Sequence, residues 1–482
     1  MSASSKRRDG RMDKASIEPV ARFTLDERIA RGKAARGELP RSAHGAWEPG
    51  PARRDPVALL EEQARTRLPE LVPVRYGRML ESPFTFFRGA AYIMAADLAN
   101  GARTGLHTQL CGDAHLSNFG FFAAPDRRLV FSINDFDETL PGPFEWDVKR
   151  LAASFTVAAR DLGFDEVTRR SVVLATARAY RDAMASFAGM RHIDVWYTRL
   201  DADMIVKGFS VNMTSRAKRR MEADLAKART KDSVRALAKL CRNVDGELRI
   251  IGNPPLITPI EDVLEGAEHA HLDRVIRRMI DTYAESLSPE RRELLQRYRY
   301  VHAARKVVGV GSVGARAWIL LLLGRDHGDP LFLQFKEAQR SVLEPFLGKS
   351  RFTQHGERIV SGQRMMQAAP DIMLGWERIE AIDGETKDFY IRQLWDAKGS
   401  AEVELMKPPG LSAYGAICGW TLARAHARSG DPVAITSYLG AKEAFDRAMV
   451  VFGETYADQN ERDYRALQEA VATGHVAAEK GI

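Results

Sequence analysis

The sequence predicts an α+β protein, with a small antiparallel-sheet lobe joined to a larger helical lobe. Three observations carry this. Helical patterns run over 56–100, over 147–190 and again beyond Asn253-Pro254-Pro255 to about 300. Strand-like runs separated by glycine-rich turns crowd into 301–405. One isolated apolar and β-rich run, Leu129–Ile133, follows a tight polar loop.

In chain order, residues 1–55 mix charge, Gly, Pro and Ser with little periodicity, the composition of a disordered or loosely attached basic arm. A helical lobe over 56–300 follows, punctuated at Pro69, Pro73 and Pro83. Within it, Thr108–Cys111 leads into the polar loop, Leu129–Ile133 forms a buried strand, and 147–190 packs beneath as helices. Residues 215–243 read as a strongly charged helix whose apolar stripe (Leu225, Val234, Leu237, Leu240) is thin, the mark of a solvated face. In 301–405 the strands are Arg316–Leu323, Pro330–Ala338, Ile359–Arg364 and Phe389–Leu394, with Gly324–Asp329 as a hairpin turn and Trp395–Ser400 as a connecting hinge. Residues 406–482 return as helices. One of them ends at His426, Arg428 and Asp431, closed by Gly430. Asp458, Glu461 and Asp463 read as a solvated helix face, and Trp146 and Trp420 as core.

The chemistry concentrates in Cys111-Gly112-Asp113-Ala114-His115-Leu116-Ser117-Asn118-Phe119, followed by Ile133-Asn134-Asp135-Phe136-Asp137. A tight turn lets Asp113 and Asn118 point into one cleft from its two ends, and the strand delivers Asp135 beside them. A carboxylate that takes a proton from an attacking hydroxyl, with an amide and a second carboxylate for a cation, is the order of groups that phosphoryl transfer needs. Magnesium prefers oxygen and takes one or two protein groups plus phosphate and water. Asn118 and Asp135 suit it, with Asp137 a further candidate. His115 more naturally holds the loop than the metal. Arg88 and Arg150 are partners for loop carboxylates or for a substrate phosphate, and an ordinary salt bridge explains each equally well.

This block resembles the catalytic half of the kinase-like small-molecule phosphotransferases, such as the aminoglycoside and choline kinases. Their loop reads His-Gly-Asp-x-His-x-x-Asn; Cys111 stands here in place of the leading His. The resemblance implies ATP and Mg²⁺ as cofactors, and a structural role for Asp147, in Pro143-Phe144-Glu145-Trp146-Asp147, as the acid that supports the catalytic loop. A longer likeness covers about 55 to 470. Phe87-Arg88-Gly89-Ala90-Ala91, the loop, Asn134 through Asp147 and Ala423-Arg424-Ala425-His426-Ala427-Arg428-Ser429-Gly430-Asp431 are similar to a bacterial family catalogued as domain of unknown function 2252. That family name supplies no activity.

A second constellation, Val307-Val308-Gly309-Val310-Gly311-Ser312-Val313-Gly314, contains Gly-x-Gly-x-x-Gly, which alone is weak. Its context is a strand, a turn and a strand carrying Lys336, the arrangement of a phosphate-covering kinase lobe. Gly309, Gly311, Ser312 and Gly314 would lie over the phosphates and Lys336 would reach them. Glu344 is the best candidate to orient Lys336 and Glu337 the alternative, although Pro345 disfavours helix at Glu344. The bland alternative is a snorkelling Lys on an edge strand. The catalytic loop precedes the glycine loop, the reverse of ordinary kinases, so the expectation is a circularly permuted two-lobed kinase-like fold. Tyr414–His426 would then be the helix before the catalytic loop. The competing account gives that place to Ala90–Leu98.

The chain has 482 residues, 45% of them hydrophobic, enough for a two-lobed enzyme. A net charge of +7 is only a weak argument for anionic partners, and nucleic acid is an unattractive one because it has only the basic N-terminus and the 216–242 helix behind it. Three scattered cysteines suggest neither zinc nor a redox site and point to the cytoplasm. No run approaches a membrane span, and the N-terminus lacks a signal-peptide core. The leading expectation is an ATP- and Mg²⁺-dependent phosphotransferase acting on a small hydroxyl-bearing acceptor. Its rivals are a nucleotide-binding regulatory module that no longer transfers phosphate, and an enzyme that moves AMP to a protein. Nothing in the sequence identifies the acceptor or the oligomeric state.

Overall fold

A computed structural model of the chain describes residues 16–209, 219, 223, 225–226, 232–263, 269–307, 309–380, 385–394 and 399–481. The chain is mixed α+β with small antiparallel sheets. The helices used below are α1 (Leu25–Glu38), α2 (Pro83–Gly89), α3 (Ala91–Ala99), α4 (Glu145–Asp161), α5 (Glu166–Ala188), α6 (His355–Met366), α7 (Pro408–Ser429), α8 (Pro432–Leu439) and α9 (Ala444–Ala472). The strands are β1 (His107–Leu110), β2 (Phe119–Ala123), β3 (Leu129–Ile133), β4 (Leu140–Pro143), β5 (Ile257–Pro259), β6 (Arg299–Lys306), β7 (Ala317–Leu323), β8 (Pro330–Glu337), β9 (Gly375–Glu380) and β10 (Thr386–Gln393).

Six strands form one antiparallel sheet in the order β9-β10-β8-β7-β6-β5. The continuous apolar run of β7 is explained by its two covered faces. Leu320 and Leu322 point with Leu333 and Phe335 toward Tyr283 and Leu287, while Ile319, Leu321 and Leu323 point with Phe332 toward Ala236 and Leu240. Register sets Ala317 of β7 against Lys336 of β8, so the glycine-rich turn between β6 and β7 lies at the lysine end of the sheet.

The larger core lies among α4, α5, α7 and α9, with Leu110, Cys111, Leu116, Ile133 and Phe136 of the polar loop's surroundings built into it. Helices α5 and α7 pack closely because Gly419 has no side chain: a Cβ there would lie 2.2 Å from the carbonyl oxygen of Thr176. Trp146 is buried in this core and Trp420 packs partly buried against it. Among the described residues, no helix is long and apolar enough to cross a membrane.

Several expectations are corrected. Residues 16–55 are not a loose arm. Thr24 and Glu27 form a capping box that starts α1. Arg28 pairs with Asp431 at 2.9 Å, and Arg36 donates to the carbonyl of Tyr438 at 2.8 Å. The anchors are guanidinium groups, which an apolar-periodicity reading passes over; residues 1–15 lie outside the described residues. Ile359–Arg364 is not a strand but part of α6. Its buried residues Ile359, Val360, Gln363 and Met366 follow helical spacing, and Gln354 caps the helix by accepting from the Glu357 amide. Of the charged helix expected over 215–243, most of 215–231 lies outside the described residues. Ser233–Leu240 is helical, and Cys241–Val244 instead pairs as a hairpin strand with Glu247–Ile250. Asp463 is buried and bound by Arg53, unlike Asp458 and Glu461, which meet Arg160 near the surface.

Glu377 on β9 is buried, and neither carboxylate oxygen has a hydrogen-bond partner among the described residues. Burial pushes its pKa up from 4.5 to about 9. The folded state therefore holds a proton that the unfolded state releases, and stability falls as pH rises between those two values. Glu377→Met is expected to stabilise the protein by about 1–3 kcal/mol near pH 8 and to flatten that slope, as read by urea denaturation at several pH values. An unchanged slope would show that Glu377 does not carry it.

Candidate active site

The loop after β1 is held by buried acceptors. The amides of Cys111 and Gly112 donate to the carboxylate of Asp147 at 2.8 and 3.1 Å. Behind it, His426 Nε2 lies 3.2 Å from Asp147 Oδ2 and His426 Nδ1 lies 2.9 Å from the Tyr180 hydroxyl. Gly112 has φ of +84°, and a Cβ there would lie 2.5 Å from the Glu138 carbonyl oxygen. Only glycine fits both the dihedral and the space. Tyr414 of α7 donates to the carbonyl oxygens of Leu116 and Phe119, and Ser154 Oγ accepts from the Leu116 amide.

Asp113 Oδ1 accepts from Arg150 Nε at 2.8 Å. Arg150 also donates to the Phe87 carbonyl at 2.7 Å, and its guanidinium lies over the Phe87 ring. Burial pushes the Asp113 carboxyl up to about 6, although Arg150 opposes the shift. His115 is buried with its Nε2 3.7 Å from Asp113 Oδ2. Burial, reinforced by Arg88 and Arg150, drives its pKa well below the ordinary value, so His115 is neutral. Asn118 donates its amide nitrogen to the Asp113 carbonyl at 2.9 Å, so the acceptor it has to offer a ligand is its amide oxygen.

On the facing side, Lys336 is buried and forms an ion pair with Asp137 Oδ2; its ammonium also donates to Ser312 Oγ at 2.7 Å. Tyr390 donates to Asp137 Oδ1 at 2.9 Å. Burial works against the Lys336 charge, but Asp137, Tyr390 and Asp135 outweigh it and raise the lysine's pKa. This corrects two assignments. Glu344 pairs with Arg340 at 3.0 Å and Glu337 with Arg316 at 3.4 Å, so neither orients Lys336. Asp137 does so, and both of its oxygens are committed to protein donors rather than open to a metal. Nothing local marks Asp137 as the lysine's partner, since the two lie 199 positions apart.

Gly309 and Gly314 have positive φ, +66° and +87°, and at Gly311 a Cβ would lie 3.2 Å from the Arg88 carbonyl oxygen. The turn is tied down from outside the sheet: Leu68 donates to Gly314 O at 2.8 Å and Arg78 to Gly309 O at 2.5 Å. Val308 and the hinge residues 395–398 lie outside the described residues.

Two cavities open here. One, of about 260 Å³, is lined by Asp113, His115, Glu62, Tyr92, Glu138 and Gln339 among others. The other, of about 450 Å³, is lined by Lys336, Lys306, Gln334, Asp371 and Arg392 among others. Arg88, Asn118, Asp135, Gly309 and Ser312 line both, which makes the two cavities neighbours across one wall. Gly314 and Glu344 line neither, and Asp147 lies beneath the loop. Asn118 and Asp135 form an all-oxygen donor pair on that wall, which fits magnesium. Among the described residues no group of three or more His, Cys, Asp or Glu is placed to hold a metal.

Arg150, Tyr390, Tyr414 and His426 complete the support of this site. Sequence offered a signal only for Arg150, as a partner for loop carboxylates, and for His426, as a polar residue at the end of an apolar helix.

No curated protein and no solved structure matches the chain. A family model described as "Uncharacterized protein conserved in bacteria (DUF2252)" matches residues 67–470. That match covers the catalytic-type loop, the glycine turn and Lys336 alike, and the chain belongs to the DUF2252 family.

Proposed function

We propose that the protein is an ATP- and magnesium-dependent phosphotransferase acting on a small hydroxyl-bearing acceptor, with a kinase-like two-lobed fold in permuted order. One observation carries the reading. Asp113, Asn118, Asp135, Ser312 and Lys336 come from segments some 200 residues apart, yet line two adjoining cavities.

The larger cavity would take the nucleotide, with Lys336 reaching phosphate oxygens through the ammonium hydrogen that Asp137 and Ser312 leave over, and the turn at Gly309 and Gly311 lying over them. The smaller would take the acceptor against Asp113. The Asp113 carboxylate accepts the hydroxyl proton as the acceptor oxygen bonds to the γ-phosphorus and the bridge to the β-phosphate breaks, leaving ADP. Arg150 holds Asp113 in place. Asn118 and Asp135 would hold magnesium, which neutralises phosphate charge when bound.

The test is a thermal-shift titration with ATP, with and without magnesium, on wild type and Asp135→Ala. Saturating magnesium–ATP is expected to raise Tm of the wild type by about 1–3 °C, and the variant should lose most of that shift. No shift in wild type at millimolar ATP would sink the proposal. Appearance of pyrophosphate rather than ADP during turnover would replace it by AMP transfer.

A further inference from the structure

The wall shared by the two cavities carries one cationic side chain, Arg88. Among the neighbouring cations, Arg150 is committed to Asp113, Lys336 to Asp137 and Arg340 to Glu344, while Lys306 lines only the larger cavity. Arg88 has no hydrogen-bond or ion-pair partner among the described residues, and its Nε is buried. A buried guanidinium nitrogen with nothing to bind is costly unless a ligand supplies the acceptor.

The backbone that presents Arg88 is fixed on both sides. Phe87 O accepts from Arg150 and Gly89 O accepts from the fully buried Arg75, at 2.7 and 2.9 Å. The glycine turn approaches so closely that a Cβ on Gly311 would lie 3.2 Å from Arg88 O. One side chain is therefore set, by unrelated contacts, between the group that would receive a proton and the groups that would hold the nucleotide. Burial lowers the pKa of Arg88 while Asp113 holds it up.

Resting on the phosphotransferase reading, we propose that Arg88 is a catalytic residue that grips the γ-phosphoryl group as it passes from one cavity to the other. A planar guanidinium offers paired donors to phosphate oxygens, and a fixed positive charge stabilises the charge those oxygens carry in the transition state. The β-phosphate, held from the Lys336 side, would not reach Arg88. Its contribution is therefore specific to ATP over ADP.

Calorimetric titration of magnesium–ATP and magnesium–ADP into wild type, Arg88→Met and Arg88→Lys tests this. Wild type is expected to bind ATP more tightly than ADP. In Arg88→Met, ATP affinity should fall about 10- to 100-fold with ADP affinity unchanged, and Arg88→Lys should fall between. ADP binding by the same variant reports that it is folded. If Arg88→Met loses ADP binding too, the ATP-to-ADP ratio in Arg88→Lys decides: a reduced ratio supports the proposal and the wild-type ratio overturns it. An unchanged ratio in a folded Arg88→Met overturns the proposal and leaves the phosphotransferase reading standing. Failure of wild type to bind either nucleotide overturns both.

Discussion

Replacing Asp113 by asparagine is expected to cut turnover by about 10²- to 10⁴-fold, read as ADP release from ATP, while magnesium–ATP still raises Tm as in wild type. Asparagine is the informative substitution because Arg150 is almost wholly buried and takes its bond from Asp113 Oδ1. An amide oxygen at that position still accepts the guanidinium, so the loop keeps its shape and only the proton acceptor is removed. Alanine would leave Arg150 without its carboxylate and confuse a chemical defect with a folding one. Wild-type ADP release by Asp113→Asn would remove Asp113 from the mechanism.

The largest stability loss is expected at Arg53→Ala, about 3–5 kcal/mol in urea denaturation. Arg53 bridges two buried carboxylates, meeting Asp97 at 2.7 Å and Asp463 at 2.6 Å. Tyr456 donates to Asp97 and Gln459 to Asp463, so both acids sit in a network with one cation at its centre. Burial raises the Asp97 pKa against the pull of Arg53. Removing the guanidinium strands two carboxylates together in the core. The next residue is the control: Arg54 pairs with Glu62 with both side chains more than 40% exposed, and Arg54→Ala should cost less than about 1 kcal/mol. Equal losses in the two variants would contradict this account.

The sequence made some features legible because they depend on local chemistry. The strand runs Leu129–Ile133 and Arg316–Leu323 and the tight turn that carries Asp113 all follow from neighbouring residues. The grouping of Asp113, Asn118 and Asp135 was readable for the same reason, since only a loop and a hairpin separate them. What escaped were interactions across hundreds of residues. Lys336 meets Asp137 and Tyr390, neither of which is near it in sequence. Residues 16–55 looked unstructured because their contacts are made by Arg28, Arg36 and Arg53, residue types that otherwise mark a solvated segment. Ile359-Val360 misled because two β-branched residues outweighed the buried positions three and four apart that make α6 a helix.

The bond between Arg28 and Asp431 joins residues 403 positions apart. During synthesis at about 5–20 residues per second, the partner of α1 emerges some 20–80 s after α1 itself. For that interval α1 has no surface to dock on, and the glycine turn and Lys336 have not yet been made when the Asp113 loop is already outside the ribosome. Helix α1 closes against that surface only after the intervening chain has been made. A long interval in which the apolar faces of α4 and α5 wait for α7 and α9 is thus built into the order of the sequence.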